Sequence, residues 1–150
     1  MLKKKLNKID LSKLNLFIND LAERLNPLTL ILHGSLVKKQ FIDKFSNIDM
    51  IVISPKFENI ELKEHFTWLL EKTQKYFPKI YVTAYTPQEF LKMIKELNSF
   101  ALDAAFYSVA LYDKNKFWQI AIKEFKKYKR KYNLKKTESD EGFGENAYSI

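Results

Sequence analysis

Hydrophobic and polar positions divide the first third of the chain into one helix and two buried strands. Within residues 9–26 an apolar side chain recurs every three or four positions, which predicts an amphipathic helix that ends before Pro27. Residues 28–33 and 48–54 are short and almost wholly apolar, a pattern typical of strands covered on both faces. Between them, residues 36–45 are mixed in character and predict no more than one or two helical turns.

The rest of the chain continues this alternation. Residues 61–77 place apolar side chains on one face of a helix, and residues 79–85 alternate with a period of two, as in a strand. Thr86 and Glu89 have the spacing of a capping box, so a helix should begin there and run to about residue 97. The pattern then predicts a short helix over 99–108, a strand or extended piece over 109–112, and a final amphipathic helix whose buried stripe is Phe117, Ile120, Ala121, Phe125 and Tyr128.

This order of elements indicates an α/β fold (α+β), in which a small mixed sheet is flanked by helices. A chain of 150 residues suits one domain, which we place at residues 1–134 with its core at 9–112 and a C-terminal basic helix at 114–133. Residues 135–150 lack periodicity and hold two of the three glycines, so we expect a flexible tail.

Composition excludes several classes of function. The chain has no cysteine, which rules out disulfides, cysteine zinc sites and thiol chemistry. The N-terminal stretch is charged, without the apolar region of a secretory signal, and no run of about 18 apolar residues occurs. We therefore expect a soluble, cytoplasmic protein that does not associate with a membrane.

The net charge of +8 is concentrated near the C-terminus. Residues 114–136 carry ten Lys or Arg and one acid, so the remainder of the chain is close to neutral. Such a segment suits an anionic partner, and its interleaved aromatic residues suit base stacking. A nucleic acid would then contact Lys126, Lys127, Lys129, Arg130 and Lys131. The alternative is that the aromatic residues form the core stripe of the helix and the lysines its solvated face.

The candidate chemistry lies where the first strand ends and the second begins. Gly34 permits close approach of a backbone to an anion, Ser35 supplies a hydroxyl, and Lys38 adds positive charge, a combination suited to binding phosphate. The alternative is an ordinary turn. Asn47 and Asp49 occupy alternate positions of the second strand, so their side chains should emerge together beside Gly34 and Ser35 if the two strands are neighbours.

Each single polar residue also has a structural interpretation. Asp49 could cap a turn or pair with a lysine. His33, at the end of the first strand, suits a packed histidine better than a ligand or proton donor, and His65 lies among charged residues of a helix and should face solvent. The spacing of the two histidines does not indicate a metal site.

Together the segments HGS at 33–35 and SNIDMIVI at 46–53 resemble the motif of minimal nucleotidyltransferases of the DNA polymerase beta-like superfamily. The resemblance extends over roughly residues 14–112. It implies that Gly34, Ser35, Lys38 and Asn47 bind a nucleoside triphosphate, and that Asp49 is a catalytic residue that binds Mg²⁺ or Mn²⁺. It also implies a nucleotidyl transfer to an unknown acceptor, and a separate helical protein as a partner.

Two departures from the family pattern weaken this metal site. Position 47 is Asn where the family has a carboxylate, and residues 79–86 contain no acid, with Thr83 the nearest polar candidate. Asp43 or Asp103 could supply a replacement carboxylate. The sequence thus leaves two alternatives open: a nucleotidyltransferase of weakened activity that binds its metal weakly, or a catalytically inactive protein of the same fold, a pseudoenzyme that acts as a binding or antitoxin-like partner.

Overall fold

A computed structural model describes residues 11–27, 29–33, 48–65, 80–136 and 148–149. Residues 36–45, for which one or two helical turns are predicted, and most of the predicted helix 61–77 lie outside the described residues. So do four of the predicted site residues: Gly34, Ser35, Lys38 and Asn47. Asp49, the fifth of them, is described, as are His33, which precedes Gly34, and Ile48, which follows Asn47.

Regular elements follow the predicted order. The helices are α1 (Leu11–Arg24), α2 (the helical residues 60–65), α3 (Pro87–Lys95), α4 (Ser99–Phe106) and α5 (Phe117–Lys131). The strands are β1 (Thr29–His33), β2 (Ile48–Ile53), β3 (Ile80–Tyr85), β4 (Ser108–Asp113), β5 (Lys135–Lys136) and β6 (Tyr148–Ser149), and a short 3-10 helix spans Pro55–Glu58.

Four strands form a mixed sheet in the order β3, β2, β1, β4. β1 is antiparallel to both of its neighbours, whereas β2 and β3 are parallel. A parallel pair requires a long crossover, and residues 54–79 provide one. The predicted fold class, a small mixed sheet flanked by helices, is confirmed, and residues 108–113 form a full strand of that sheet.

Both faces of the central strands are buried, as their continuous apolar runs predicted. On one face Leu30, Leu32, Met50 and Val52 pack with α1. On the other, Ile31 and Ile51 belong to a second cluster that α3, α4 and α5 cover. Because side chains alternate along a strand, this second face also receives the odd-numbered polar residues of β1 and β2.

Local capping fixes where the covering helices begin. The Glu89 N–H donates to Thr86 Oγ1 at 3.1 Å and the Thr86 N–H donates to Glu89 Oε2 at 3.2 Å, so the predicted capping box is present. At the start of α5, the carboxylate of Asp113 accepts hydrogen bonds from the Trp118 N–H at 3.0 Å and from Thr29 Oγ1 at 2.7 Å. Asp113 therefore ties the last helix to the first strand.

Three details differ from expectation. The spacing predicts that Ile120 belongs to the core stripe of the last helix, but Ile120 is 51% exposed. It borders a small cavity with Phe117 and Pro55 at the start of that helix. Leu62 of α2 belongs to the predicted apolar face of residues 61–77, but it is also exposed. Within the predicted tail, Lys135–Lys136 pairs with Tyr148–Ser149 as a short antiparallel ladder, which the lack of periodicity did not indicate. The predicted flexibility of residues 137–147 concerns residues outside those described.

None of the helices in the described ranges combines the length and the apolar character needed to cross a bilayer.

Candidate functional site

Asp49 lies near the start of β2, in the middle of the sheet. Its backbone partners are His33 on β1 and Tyr81 on β3. Ile51 and Ile53, the next residues of the same alternation, belong to the cluster under α3, α4 and α5, so Asp49 points to that face of the sheet. The side chain is half-buried.

Burial raises the pKa of the Asp49 carboxyl above its ordinary value of 3.8. The physical cause is loss of hydration, which disfavours the ionised form. No lysine, arginine or histidine among the described residues forms an ion pair with this carboxylate. The interpretation of Asp49 as half of a lysine ion pair therefore finds no support in the described part of the chain.

The end of the sheet that carries Asp49 is also where the predicted phosphate-binding residues join the described chain. His33, the antiparallel partner of Asp49, immediately precedes Gly34, and Ile48, the first residue of β2, immediately follows Asn47. The condition set by the sequence argument, that the two strands be neighbours, is met. The positions of Gly34, Ser35, Lys38 and Asn47 beside Asp49 stay a prediction.

His33 is a packed histidine, as its position predicted. It is buried, and its ring meets the ring of Phe100 edge to face with 5.2 Å between the centroids. Phe100 belongs to α4, so this contact packs that helix against the end of β1, beside Asp49. The sequence contained no signal for the contact, because the two aromatic residues are far apart along the chain. His65 is exposed, as predicted.

Thr83 is the polar residue of β3 that shares the face of Asp49. It pairs with Ile51, the next residue after Asp49 on that face, and its buried hydroxyl makes no hydrogen bond of ordinary geometry with a described residue. Burial raises the pKa of Tyr85, and the neighbouring Thr83 hydroxyl opposes part of that rise. A hydroxyl thus stands on the strand where the family motif requires a carboxylate.

Of the two replacement acids, only Asp103 is described. It is buried on α4, one helical turn after Phe100, the residue that contacts His33. Across the described ranges, however, no group of three His, Asp or Glu side chains is arranged to share a metal ion. The described residues therefore do not supply a complete set of ligands for Mg²⁺.

The basic residues predicted to contact nucleic acid lie on the last turns of α5. Lys126, Lys129 and Arg130 line a groove of about 450 Å³ together with Asn133 and Leu134. The aromatic residues Phe117, Trp118 and Tyr128 are buried in the core and cannot stack on bases. Phe125 is buried as well, so the core-stripe interpretation is correct for Phe117, Phe125 and Tyr128.

No protein-family model matches the sequence, and a comparison with curated proteins finds no match. Among solved structures, the chain is similar to three crystal structures of toxin–antitoxin proteins. One was determined with AMP-PNP, at 14% identity and a TM-score of 0.49, over 79% of this chain and 91% of that one. Two are mutants of MntA-HpeT, at 14% and 13% identity, TM-scores of 0.49 and 0.48, and 88% and 91% coverage of those chains. At this level the similarity says nothing about activity, substrate or partner.

Proposed function

We propose that this chain binds a nucleoside triphosphate at the end of the sheet where β1 ends and β2 begins, and transfers a nucleotidyl group from it to a nucleophilic group of an acceptor, with pyrophosphate as the leaving group. The observation that supports this most is Asp49, a half-buried carboxylate with a raised pKa and no ion-pair partner among the described residues. Such a carboxylate lowers the stability of a fold, and groups of this kind concentrate at functional sites.

Each residue has a distinct role in this proposal. The backbone N–H groups after Gly34 and the Ser35 hydroxyl donate hydrogen bonds to phosphate oxygens, and Lys38 offsets their charge. Asp49, with the amide oxygen of Asn47, contributes ligands to Mg²⁺ or Mn²⁺. When bound, that ion neutralises charge on the triphosphate. Because the described residues hold no group of three such ligands, most of the remaining ligands would be oxygens of the nucleotide itself.

A second candidate function follows from the incomplete ligand set. Asn47 replaces one carboxylate of the family motif, Thr83 stands on the strand of another, and no three-ligand group occurs in the described part of the chain. A protein of this kind could retain the fold and bind a partner protein, in an antitoxin-like role, without transferring a nucleotide. The two candidates predict different outcomes in one set of assays.

The first assay incubates the protein with ATP labelled at the α-phosphate and either Mg²⁺ or Mn²⁺, with and without candidate acceptor proteins, while calorimetry measures nucleotide binding. Transfer of label supports the first function. Absence of transfer, with or without nucleotide binding, supports the second, and absence of both transfer and binding contradicts the proposed nucleotide site.

Variants then test the individual residues. Asn47→Asp should tighten metal-dependent nucleotide binding several-fold, because it adds a charged oxygen ligand. Ser35→Ala should weaken binding, and Asp49→Asn should abolish metal-dependent nucleotide binding. Asp20→Asn is the matched control, because Asp20 is an exposed acid paired with Arg24 on α1. If Asn47→Asp and Ser35→Ala both leave binding unchanged, the proposed site is wrong.

A further inference from the structure

The last two turns of α5 carry cations that no carboxylate neutralises within the described part of the chain. Lys126, Lys129 and Arg130 line the groove of about 450 Å³, and none of them forms an ion pair with a described acid. Lys127 differs, because its Nζ lies 3.9 Å from a carboxylate oxygen of Glu124. Among the described residues, the groove therefore holds a net positive charge.

Two aromatic rings remain partly exposed beside these cations. Phe106, at the end of α4, is 39% exposed, and Lys129 Nζ lies 5.2 Å from its ring centroid. Tyr132, just after α5, is 37% exposed and stacks on Tyr128 with an interplanar angle of 13°. Lys131 Nζ lies 5.2 Å from the Tyr132 ring. Each exposed ring thus has an ammonium group beside it.

A helix C-terminus attracts cations through its dipole, so their presence alone requires no ligand. That effect does not account for the two exposed rings or for the groove between the cations. A positively charged groove combined with aromatic rings is the arrangement by which proteins bind single-stranded nucleic acid, because phosphates pair with the cations while bases stack on the rings.

From this juxtaposition we propose that the basic-aromatic face, defined as Lys126, Lys129, Arg130, Phe106 and Tyr132, binds single-stranded nucleic acid. An acidic protein segment would pair with the cations but would have no specific use for two flat rings. In a duplex the bases are already stacked on one another, so the rings would have no access to them. The proposal is independent of nucleotide transfer at Asp49.

The basic-aromatic face lies at the same end of the sheet as Asp49. Asp49 pairs with His33, and His33 pairs with Ser108 of β4. These two strand spacings amount to roughly 10 Å. Phe106 precedes Ser108 by two residues and lies beneath Lys129. A nucleic acid bound to this face would therefore lie at the same end of the sheet as Asp49.

The test measures fluorescence anisotropy of a labelled single-stranded oligouridylate of about 12 nucleotides over about 50 to 200 mM salt. The triple variant Lys126→Gln, Lys129→Gln, Arg130→Gln should bind at least about tenfold more weakly at the lower salt concentration. The slope of log K against log salt should shrink by about 2, since each phosphate contact to a single strand contributes about 0.7.

A matched variant controls for net charge. Lys92→Gln, Lys95→Gln, Lys114→Gln removes the same charge from exposed positions elsewhere, and should change affinity by no more than about twofold because salt screens distant charges. Equal losses in the two triple variants would overturn the proposal, because binding would then depend on net charge and not on this groove. Thermal unfolding of every variant confirms that the fold is intact.

Aromatic variants separate nucleic acid from other anions. Tyr132→Leu and Phe106→Leu keep apolar bulk, remove the stacking surface, and should each weaken binding by roughly fivefold or more without changing the salt slope. Unchanged affinity in both variants would refute base stacking. Equal affinity for a poly-glutamate peptide or for duplex RNA would likewise refute the assignment, in favour of an acidic protein or of a general polyanion surface.

Discussion

Replacing Asp49 with Asn should stabilise the fold and, at the same time, abolish metal-dependent nucleotide binding. The carboxylate is half-buried, burial raises its pKa, and no described cation pairs with it. Asn has nearly the same size without the charge, so the substitution removes the cost of desolvation and keeps the packing. Because solvent screens part of the charge on a half-buried carboxylate, we expect the free energy of unfolding at neutral pH to rise by no more than about 1 kcal/mol, equivalent to at most about 2–4 °C in Tm for a chain of this length.

The effect should depend on pH in a defined direction. The pKa of Asp49 in the folded protein lies above its unfolded value of 3.8, so between these two values the folded state binds more protons than the unfolded state. Stability contributed by this group is then lost as pH rises through that window, and the penalty is complete above it. At pH values well below 3.8 the carboxyl is neutral in both states, and the wild type and Asp49→Asn should be equally stable.

Urea unfolding followed by circular dichroism at several pH values measures both quantities. Asp113→Asn is the control, since that carboxylate accepts hydrogen bonds from Thr29 and Trp118. It should lose about 1–2 kcal/mol at neutral pH. Addition of ATP with Mg²⁺ at about 100 times Kd should stabilise the wild type by about 2.7 kcal/mol and leave Asp49→Asn unchanged. If Asp49→Asn is less stable than the wild type at neutral pH, the surroundings favour the charge and the reasoning is refuted.

Further substitutions test the packing around the site by the same urea measurement. Thr86→Ala removes the cap of α3 and should cost about 1 kcal/mol, whereas Thr86→Ser should cost much less; equal losses would contradict the capping argument. Phe90→Ala empties a fully buried position under the sheet and should cost about 3–5 kcal/mol, and a loss below about 1 kcal/mol would contradict its place in the core. Trp118→Phe removes the hydrogen bond from Nε1 to Ser108 Oγ, of length 3.0 Å, and should cost about 1 kcal/mol; Ser108→Ala should cost a similar amount if that bond is responsible.

Much of the fold was predictable from local pattern. The ends of β1, β2 and β3 fall within one residue of prediction, because continuous or alternating apolar runs bounded by Pro or Gly leave little choice of conformation. The start of α3 was predictable from Thr86 and Glu89, whose hydrogen bonds close within a single turn. Asp49 was identifiable as a candidate site residue because a carboxylate on an otherwise apolar strand requires an explanation.

Other features were not predictable, since they depend on pairs of residues far apart in sequence. The pairing of β4 with β1 joins residues separated by most of the chain, and the shift of register between Leu30 and Ile31 has no local signal. Ile120 has the spacing of a core residue, yet it is exposed, because which part of an apolar stripe is covered depends on the elements packed against it.

The amino-acid sequence by itself determined two strands buried on both faces, the capped start of α3, the concentration of positive charge near the C-terminus, and Asp49 as the carboxylate on β2. Only the tertiary structure decided that Asp49 lies beside a packed His33, that burial raises its pKa, and that Phe106 lies beneath Lys129 at the same end of the sheet. The physical reason is the range of the interactions. Spacing and capping act within a few residues, whereas strand order, register and burial arise from contacts that only the packed chain can make.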